Sequence, residues 1–480
     1  MAANRNSDHS RAVSESLSAG WRELCARYLP VTPEPSFWRY SRTRIPSDPE
    51  QGWKLHISAT VLTANRVLEA VGPFLRGRGV MFKGPASLLD LSRINCGSHY
   101  GYALVGKCLT VYPATMQDAV ALAERLNELT AGMPAPAVPF DLKFKSEGCV
   151  YYRYGAFRHL EIPNDDGSSS LALRNPQGEL VPDLRESPTA RPDWISDPLA
   201  QQSSDNSDSV ESPLKTTFRA FRALAQRGKG GVYQAFDLSV QPPRFCILKE
   251  GRKNGEPCWD GRDGYWRVKN EKKVLGALAA LGIEVPGVYS SFEVEGNFYL
   301  ATEFIEGDSL QTLLSRRVRR LSVARALRYA LQLSTLISRI HSAGWVWRDC
   351  KPSNLMVTKK GLLRPLDFEG ACPIQHPDPI PWGTPAFVPP EANKALRQSR
   401  LPEDLFALGV IIYLLLTGSL PSSPDPIPVE KFRPCVPVAA SQLVAELLDP
   451  DPRLRPRGKF VARRLKALLD VVKDPSAVNS

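Results

Sequence analysis

The sequence predicts an α+β protein of two domains, and three features of the 480-residue chain support this prediction. An alternating polar and apolar run at residues 53–60 is typical of a half-buried strand. A compact set of charged and polar residues at 348–354 marks the second half, and a polar segment at 201–214 separates the halves. With 43% apolar residues, the chain can bury two or three cores.

The predicted domain boundaries follow the polar stretches. Residues 1–20 are expected to be disordered, 21–200 to form the first domain with its connector, 201–214 a polar linker and 215–475 the second domain. The polar start contains no secretory apolar core, and no apolar run reaches membrane-spanning length. We therefore expect a cytoplasmic protein without a membrane partner.

Cysteine usage and charge narrow the function further. The 9 cysteines include no Cys-x-x-Cys pair, which argues against a zinc site and fits reduced thiols. The formal net charge of +11 is a modest basic bias without interleaved aromatic residues, so nucleic acid is not an expected partner. An acidic peptide or a phosphorylated intermediate fits this charge better.

The first domain carries cations inside its predicted strands. Lys54 and His56 project from the same face of one strand. A single histidine in such a place is more often a hydrogen-bonded structural residue. Lys83, Lys107 and Arg153 also lie in apolar strand-like runs. Because a buried cation is costly unless it meets an anion, a converging group of these side chains suits a phosphate.

The second domain has the residue spacing of a protein-kinase catalytic loop, with Asp349, Lys351 and Asn354 followed by Asp367. In that chemistry the first Asp accepts the proton of the substrate hydroxyl, and the Lys offsets charge on the transferred phosphoryl group. The Asn and the second Asp hold Mg²⁺. The sequence therefore predicts a bilobal protein-kinase fold for this half.

The rest of a nucleotide site is predicted upstream of that loop. Lys249 ends an apolar strand and is expected to pair with Glu271 on a helix. A glycine-rich turn, which falls short of the full three-glycine pattern, allows backbone N–H groups to approach phosphate. The predicted residues for binding ATP or GTP are Gly228, Gly230, Gly231, Val232, Lys249, Glu271, Glu303 and Ile305. Thr302 is the predicted small gatekeeper beside the adenine.

Two further features of this half carry predictions. Glu369 stands where the kinase motif has glycine, so the backbone freedom of glycine is lost and Asp367 is expected to be less free to move away. Glu391 and Arg455 are expected to form an ion pair.

The whole pattern resembles one enzyme family. The runs at 53–60, 106–113 and 152–157 resemble the N-terminal lyase domain of class III and class IV lanthipeptide synthetases, which is similar to bacterial phosphothreonine lyases. The second half, with its Asp-Phe-Glu variant, resembles their kinase domain. The resemblance covers most of 38–475. Those synthetases continue into a zinc-dependent cyclase, which this sequence is expected to lack.

The resemblance implies dehydration of Ser or Thr in a ribosomally made precursor peptide that carries a leader. ATP or GTP with Mg²⁺ would phosphorylate the hydroxyl, and β-elimination would then expel phosphate. By the family pattern, His56 is the acid, either Lys83 or Lys54 is the base, and the other Lys polarises the carbonyl. Lys107 and Arg153 would hold the phosphate. A separate cyclase or other modifying enzyme is a further expected partner.

Two other functions remain open at this point. One is a signalling Ser/Thr kinase with an N-terminal sensor domain, which the lack of a lyase cluster would favour. The other is a non-catalytic scaffold that presents the peptide to other enzymes. The intact Lys249, Asp349, Asn354 and Asp367 argue against the scaffold.

Overall fold

The structure is a computed structural model that shows the predicted α+β architecture with two domains. It describes residues 2–33, 36–164, 166–183, 191–200, 212–316, 320–378, 380–393, 400–422 and 426–473.

The first domain is a six-stranded antiparallel sheet with helices packed on one face. In its described part the helices are α1 (Ala2–Tyr28), α2 (Ala64–Gly77), α3 (Leu88–Cys96) and α4 (Met116–Leu129). The sheet strands are β1 (Trp38–Tyr40), β2 (Gln51–Ser58), β3 (Met81–Pro85), β4 (Lys107–Tyr112), β5 (Leu142–Lys143) and β6 (Val150–Ala156). Their spatial order is β1-β3-β4-β2-β6-β5. A smaller sheet follows, with β7 (Glu161–Pro163), β8 (Ser169–Arg174) and β9 (Leu180–Pro182).

Alternation along the strands decides which sheet face is buried. Leu55 and Ile57 of β2 join Phe82 and Val111 in a core that α1, α2 and α4 cover. Their neighbours along the chain point to the opposite face. That second face therefore receives the polar and charged side chains of the same strands.

The predicted disorder of residues 1–20 is corrected by the structure, since α1 occupies Ala2–Tyr28. Trp21 and Cys25 are fully buried against the sheet, and Leu17 packs beside them. These apolar residues recur at helical spacing and gain burial by covering the core. Of the predicted linker, 201–211 lies outside the described residues.

The second domain has two lobes. The smaller lobe contains β10 (Phe218–Arg227), β11 (Gly230–Asp237), β12 (Arg244–Gly251), β13 (Val288–Val294) and β14 (Asn297–Glu303) in the order β10-β11-β12-β14-β13. Before and beside this sheet lie α5 (Pro213–Thr216) and α6 (Gly264–Ala280). The described helices of the larger lobe are α7 (Leu310–Ser315), α8 (Val323–Ser342), α9 (Leu401–Thr417), α10 (Val429–Phe432), α11 (Val438–Leu447) and α12 (Gly458–Lys473). Two small sheets complete the lobe. One contains β15 (Asp308–Ser309), β17 (Leu355–Val357) and β18 (Leu363–Pro365), and the other contains β16 (Trp345–Val346) and β19 (Cys372–Pro373).

The larger lobe is organised around α9, whose apolar side chains are buried between α8 and α11. None of the helices in the described ranges is long and apolar enough to cross a membrane. Strand β18 contacts the small lobe through Arg364, which donates to Glu303 and to the Val285 carbonyl oxygen, and loops flank β17 and β18. The polar residues singled out in the sequence lie in these loops.

Candidate active sites

The five predicted lyase residues lie on one face of the large sheet. Lys83 pairs with Thr110, and Thr110 in turn pairs with His56 on the next strand. Lys54 of β2 pairs with Arg153 of β6. Directly opposed residues of antiparallel strands share a face, and Lys54 and His56 are two residues apart. The face opposite the helices thus carries these cations together.

Asp141 joins two members of this group. The Nδ1–H of His56 donates to Asp141 Oδ2 over 2.5 Å, and Lys107 Nζ donates to Asp141 Oδ1 over 2.9 Å. All three residues are buried. Asp141 follows Phe140, whose φ of 62° lies in the left-handed region. Asp141 was not predicted from the sequence, because it lies in a loop and no strand-like spacing links it to His56.

Burial sets the protonation of His56. Desolvation lowers the pKa of His56 to about 3; Lys107 and Lys54 act in the same direction, and Asp141 opposes them. Although burial acts to raise it, His56 and Lys107 hold the pKa of Asp141 below its usual range. The neutral ring donates from Nδ1, so its Nε2 has the lone pair that can take a proton.

The other cations have distinct surroundings. Arg153 Nη2 donates to Asp183 Oδ1 over 2.5 Å, and Asp183 is buried. The Lys83 ammonium lies 4.4 Å from the centre of the Trp38 ring and 5.9 Å from that of Tyr40. Asp183 was not predicted either, since it follows a hairpin in the connector.

In the second domain the predicted ion pair between Lys249 and Glu271 is present. Lys249 Nζ lies 2.7 Å from both carboxylate oxygens of Glu271 and 3.6 Å from Asp367 Oδ1. Burial acts to lower the pKa of Lys249, but Asp367 and Glu271 raise it well above its usual range. The backbone N–H of Phe368 donates to Glu271 over 3.2 Å. Glu271 therefore links the strand Lys to the Asp-Phe-Glu segment.

The catalytic-loop residues form a closed network. Asp349 accepts hydrogen bonds from Lys351 at 2.7 Å, Asn354 at 3.1 Å and Thr384 at 3.2 Å. Burial and the nearby Asp367 raise the pKa of Asp349. A carboxylate with a raised pKa is a better proton acceptor.

Asp367 fits a divalent cation. Its Oδ1 is buried and accepts no hydrogen bond from any described residue. Burial acts to raise the pKa of Asp367, but Lys249, Lys229 and Lys351 outweigh it and the pKa is about 2. Carboxylate oxygens of Glu271, Asp367 and Glu369 lie within 4.8 Å of one another. Mg²⁺ prefers such oxygen ligands.

The glycine-rich turn is only partly placed as predicted. Gly230 and Gly231 open β11, and Val232 lies opposite Lys249. Gly228 instead faces the first domain, because its N–H donates to the Cys96 carbonyl oxygen over 3.1 Å.

The strand that leads to the hinge provides the other predicted nucleotide residues. Thr302 and Ile305 are buried. The Glu303 carboxylate receives hydrogen bonds from Arg364 at 2.9 Å and from the Gly287 N–H at 3.2 Å. Its backbone is thus the part of Glu303 that could serve a nucleotide base.

Several contacts brace the Asp-Phe-Glu segment and the large lobe. Trp347, which was not predicted as a site residue, stacks on Phe368 with ring centres 5.2 Å apart and donates from Nε1 to the Asp367 carbonyl oxygen over 2.8 Å. The predicted pair of Glu391 and Arg455 is present at 2.5 and 3.0 Å. Asp367 has a φ of 62°, a conformation that such bracing helps to maintain.

A cleft of about 580 Å³ opens beside the catalytic loop. Asp349, Lys351 and Thr384 lie on its wall, with Trp382 and Pro389 on the other sides. Its size suits an extended peptide segment that brings a hydroxyl to Asp349.

Comparison with known proteins assigns both halves. Residues 19–210 match the RamC N-terminal domain, and residues 230–459 match the protein kinase domain. The chain joins a RamC-type domain to a protein kinase domain. The resemblance predicted from the motifs is thereby confirmed for both domains and their order.

Individual relatives agree with this assignment. The probable SapB synthase of Streptomyces coelicolor is 29% identical over 420 residues, which are 85% of this chain and 43% of the synthase. The serine/threonine-protein kinase PknA of Nostoc is 27% identical over 56% of this chain and 50% of its own length. The kinase pkn3 of Myxococcus xanthus is 28% identical over 56% of this chain and 52% of its own. The chain thus spans about half the length of these relatives or less.

Proposed function

We propose that the protein dehydrates Ser and Thr residues of a precursor peptide with a leader. The kinase domain phosphorylates the hydroxyl, and the RamC-type domain eliminates the phosphate. The observation that carries this proposal is the gathering of Lys54, His56, Lys83, Lys107 and Arg153 on the sheet face opposite the helices. Similarity to a SapB synthase over 85% of the chain supports the same substrate class.

In the first step, Asp349 accepts the proton of the peptide hydroxyl while the hydroxyl oxygen attacks the γ-phosphorus of ATP or GTP. The bond from the γ-phosphorus to the bridging β-phosphate oxygen breaks, and ADP or GDP leaves. Lys249, held by Glu271, binds the α- and β-phosphates, and Lys351 offsets charge on the transferred group. Asp367 and Asn354 would hold Mg²⁺, which neutralises phosphate charge when bound. The Asn354 nitrogen donates to Asp349, so its amide oxygen is the ligand atom it would supply.

In the second step, a neutral lysine amine removes the Cα proton and the Cβ–O bond breaks. The electron pair of the Cα–H bond becomes the Cα=Cβ double bond, and the phosphate leaves with a proton from His56. Lys107 and Arg153 hold the phosphate throughout. Lys54 and Lys83 are the two candidates for the base, and the other polarises the peptide carbonyl.

His56 must gain a proton before it can act as the acid. In the unliganded protein its pKa is about 3, so the ring is neutral near pH 7. A bound phosphate brings negative charge beside Nε2, which raises the pKa of His56. Asp141, hydrogen-bonded to Nδ1, stabilises the imidazolium that forms. The acid is thus generated by substrate binding.

Mass spectrometry of a co-expressed candidate precursor tests this proposal. The wild type is expected to remove one water per modified residue, Asp349→Asn to leave the peptide unmodified, and His56→Ala to accumulate phosphopeptide. Removal of a general acid lowers a rate by roughly 10²- to 10⁴-fold, which is enough to trap the intermediate. His159→Ala is the matched control, because His159 is exposed and pairs with Glu161. Complete dehydration by His56→Ala would exclude His56 from the reaction.

The identity of the base is tested separately. Lys54→Ala and Lys83→Ala are assayed on a synthetic phosphoserine peptide with small amines added. The variant that lacks the base should be rescued in proportion to the basicity of the amine. The dehydrated product is an electrophile, and we propose that a separate cyclase or other modifying enzyme consumes it.

A further inference from the structure

The glycine-rich turn of the kinase domain is in direct contact with the RamC-type domain. Besides the hydrogen bond from Gly228 to Cys96, the Gly228 backbone lies so close to Asn95 that an added Cβ would be 1.6 Å from the Asn95 carbonyl oxygen. A side chain at 228 is therefore incompatible with this contact. The glycine is required by the neighbouring domain, whatever it does for a nucleotide.

Asn95 is itself fixed beside the candidate lyase site. Its Nδ2 donates to the Ala59 carbonyl over 3.0 Å, and its Oδ1 accepts from the Gly106 N–H over 3.1 Å. Ala59 follows strand β2, and Gly106 precedes Lys107. Only 1% of Asn95 is exposed. The surface that meets Gly228 is thus a rigid part of the first domain.

Further contacts extend this interface. The Arg252 guanidinium lies 5.3 Å from the centre of the Tyr102 ring, and Asn254 donates to the Ala135 carbonyl over 3.3 Å. The Arg252 N–H also donates to the Lys229 carbonyl oxygen over 2.9 Å. The same segment therefore contacts the first domain and holds the backbone of the residue after Gly228.

On the other side of the turn, Lys229 reaches across the nucleotide cleft. Its ammonium pairs with the buried carboxylate of Glu369, the residue that replaces glycine in the Asp-Phe-Glu segment. Lys249 lies close by, 3.6 Å from Asp367. A cation at this place lies between the turn and the predicted metal-binding Asp, where phosphates of a nucleotide would pass.

We propose that Lys229 is a phosphate-binding residue of the nucleotide site and that the RamC-type domain positions it through the contact of Asn95 and Cys96 with Gly228. Without nucleotide, Lys229 pairs with Glu369. The phosphates of a bound nucleotide, which carry several negative charges, compete with that single carboxylate and take over the ammonium. This inference rests on the proposed kinase function.

Nucleotide affinity of the full-length chain, measured with a fluorescent ADP analogue with and without Mg²⁺, tests the role of Lys229. Lys229→Gln should weaken binding about 10- to 100-fold, as expected for the loss of one charged hydrogen bond, and Lys229→Arg should restore most of it. The reciprocal exchange of Lys229→Glu with Glu369→Lys restores an ion pair but puts a carboxylate at the phosphates. If that exchange recovers wild-type affinity, the ion pair between positions 229 and 369 has only a structural role and the proposal is wrong.

The role of the first domain is tested with Gly228→Ala, for which Gly276→Ala is the control because a Cβ at Gly276 meets nothing within 4 Å. Gly228→Ala should weaken nucleotide binding about tenfold, and elimination from a phosphopeptide should be unchanged. Tyr102→Leu loosens the same interface without altering the turn and should act in the same direction. Wild-type affinity in both variants, when hydrogen exchange shows that the interface between the domains has opened, would overturn the positioning role.

The outcomes separate this inference from the proposed function. If the wild type binds nucleotide in a Lys229-dependent way but phosphorylates no peptide, the role of Lys229 stands and the proposed dehydratase function is wrong. If the wild type binds no nucleotide, both proposals are wrong.

Discussion

At the scale of single residues, His56 shows how burial and a neighbouring carboxylate act against each other. The hydrogen bond to Asp141 favours the charged ring, but desolvation and the nearby cations are stronger and lower the pKa to about 3. His56 is therefore neutral near pH 7 and has no imidazolium proton to give until an anion arrives.

This state predicts proton-linked binding. A peptide with a non-eliminable phosphonate should bind the wild type up to about tenfold more weakly for each unit of pH rise, over the range between the free and the bound pKa of His56. The sign follows because the complex holds one more proton than the free protein. Calorimetry in buffers of different ionisation enthalpy measures this uptake, and His56→Gln corrects for the titration of the ligand. Equal uptake in both proteins would contradict the mechanism.

The small side chain of Thr302 is predicted to leave space behind the adenine. It is 4% exposed and lies opposite Ile247 in the sheet. Thr302→Phe should overpack this place at a cost of about 1–3 kcal/mol and weaken nucleotide binding, and Thr302→Gly should admit N6-substituted analogues. Thr335→Phe, on an exposed part of α8, is the control. Unchanged affinity in Thr302→Phe would mean that the hinge lies elsewhere.

At the scale of elements, α9 anchors the catalytic loop. Asp404 in its first turn accepts the backbone N–H of Trp347 at 2.8 Å and of Arg348 at 2.7 Å, and it pairs with His341 at 2.9 Å. Arg348 has a φ of 70°, so the loop follows an unusual path that these bonds hold in place.

Removal of this anchor should be costly. Asp404→Ala leaves two buried N–H groups unpaired, each at about 1–3 kcal/mol, so the melting temperature of the kinase domain and the phosphorylation rate should both fall. Asp470→Ala, on an exposed position of α12, should change neither. Differential scanning calorimetry and a peptide phosphorylation assay provide the two measurements. A normal rate in Asp404→Ala would show that the loop keeps its path without α9.

At the scale of the whole molecule, each domain has a core of its own. The core of the first domain consists of residues between Trp21 and Leu199. The second domain has separate hydrophobic clusters, one around α8 and one in the small-lobe sheet. The domains meet at the glycine-rich turn, at Arg252 and Asn254, and at Trp259, which packs against the first core. Independent cores with a limited contact favour folding of the separated parts.

Separate expression of residues 2–200 and 212–473 tests this division. The first part should eliminate phosphate from a phosphoserine peptide without nucleotide or Mg²⁺, and the charge-removing pair Lys107→Ala and Arg153→Ala should abolish this reaction. The second part should phosphorylate the precursor peptide only when nucleotide and Mg²⁺ are both present. Its nucleotide affinity should be weaker than that of the full chain. If circular dichroism shows that the first part is folded and it still does not react with phosphopeptides, the lyase assignment is wrong.

Local patterns in the sequence were sufficient to predict the two-domain fold, the kinase loop and the shared face of the β2 cations. Strand alternation and motif spacing are encoded by neighbouring residues. The helical N-terminus was not predicted, since its polar start obscured the later apolar spacing. Asp141 and Asp183 were missed because both lie in loops that reach the cations only after folding.

Local sequence patterns thus identify the polar residues at the spacing of a kinase catalytic loop and the strand face that carries Lys54 and His56. The folded arrangement of distant loops places Asp141 and Asp183 against the cations and Gly228 against the first domain. Side-chain direction repeats along a strand and can be read locally, whereas the approach of distant loops depends on how whole elements pack.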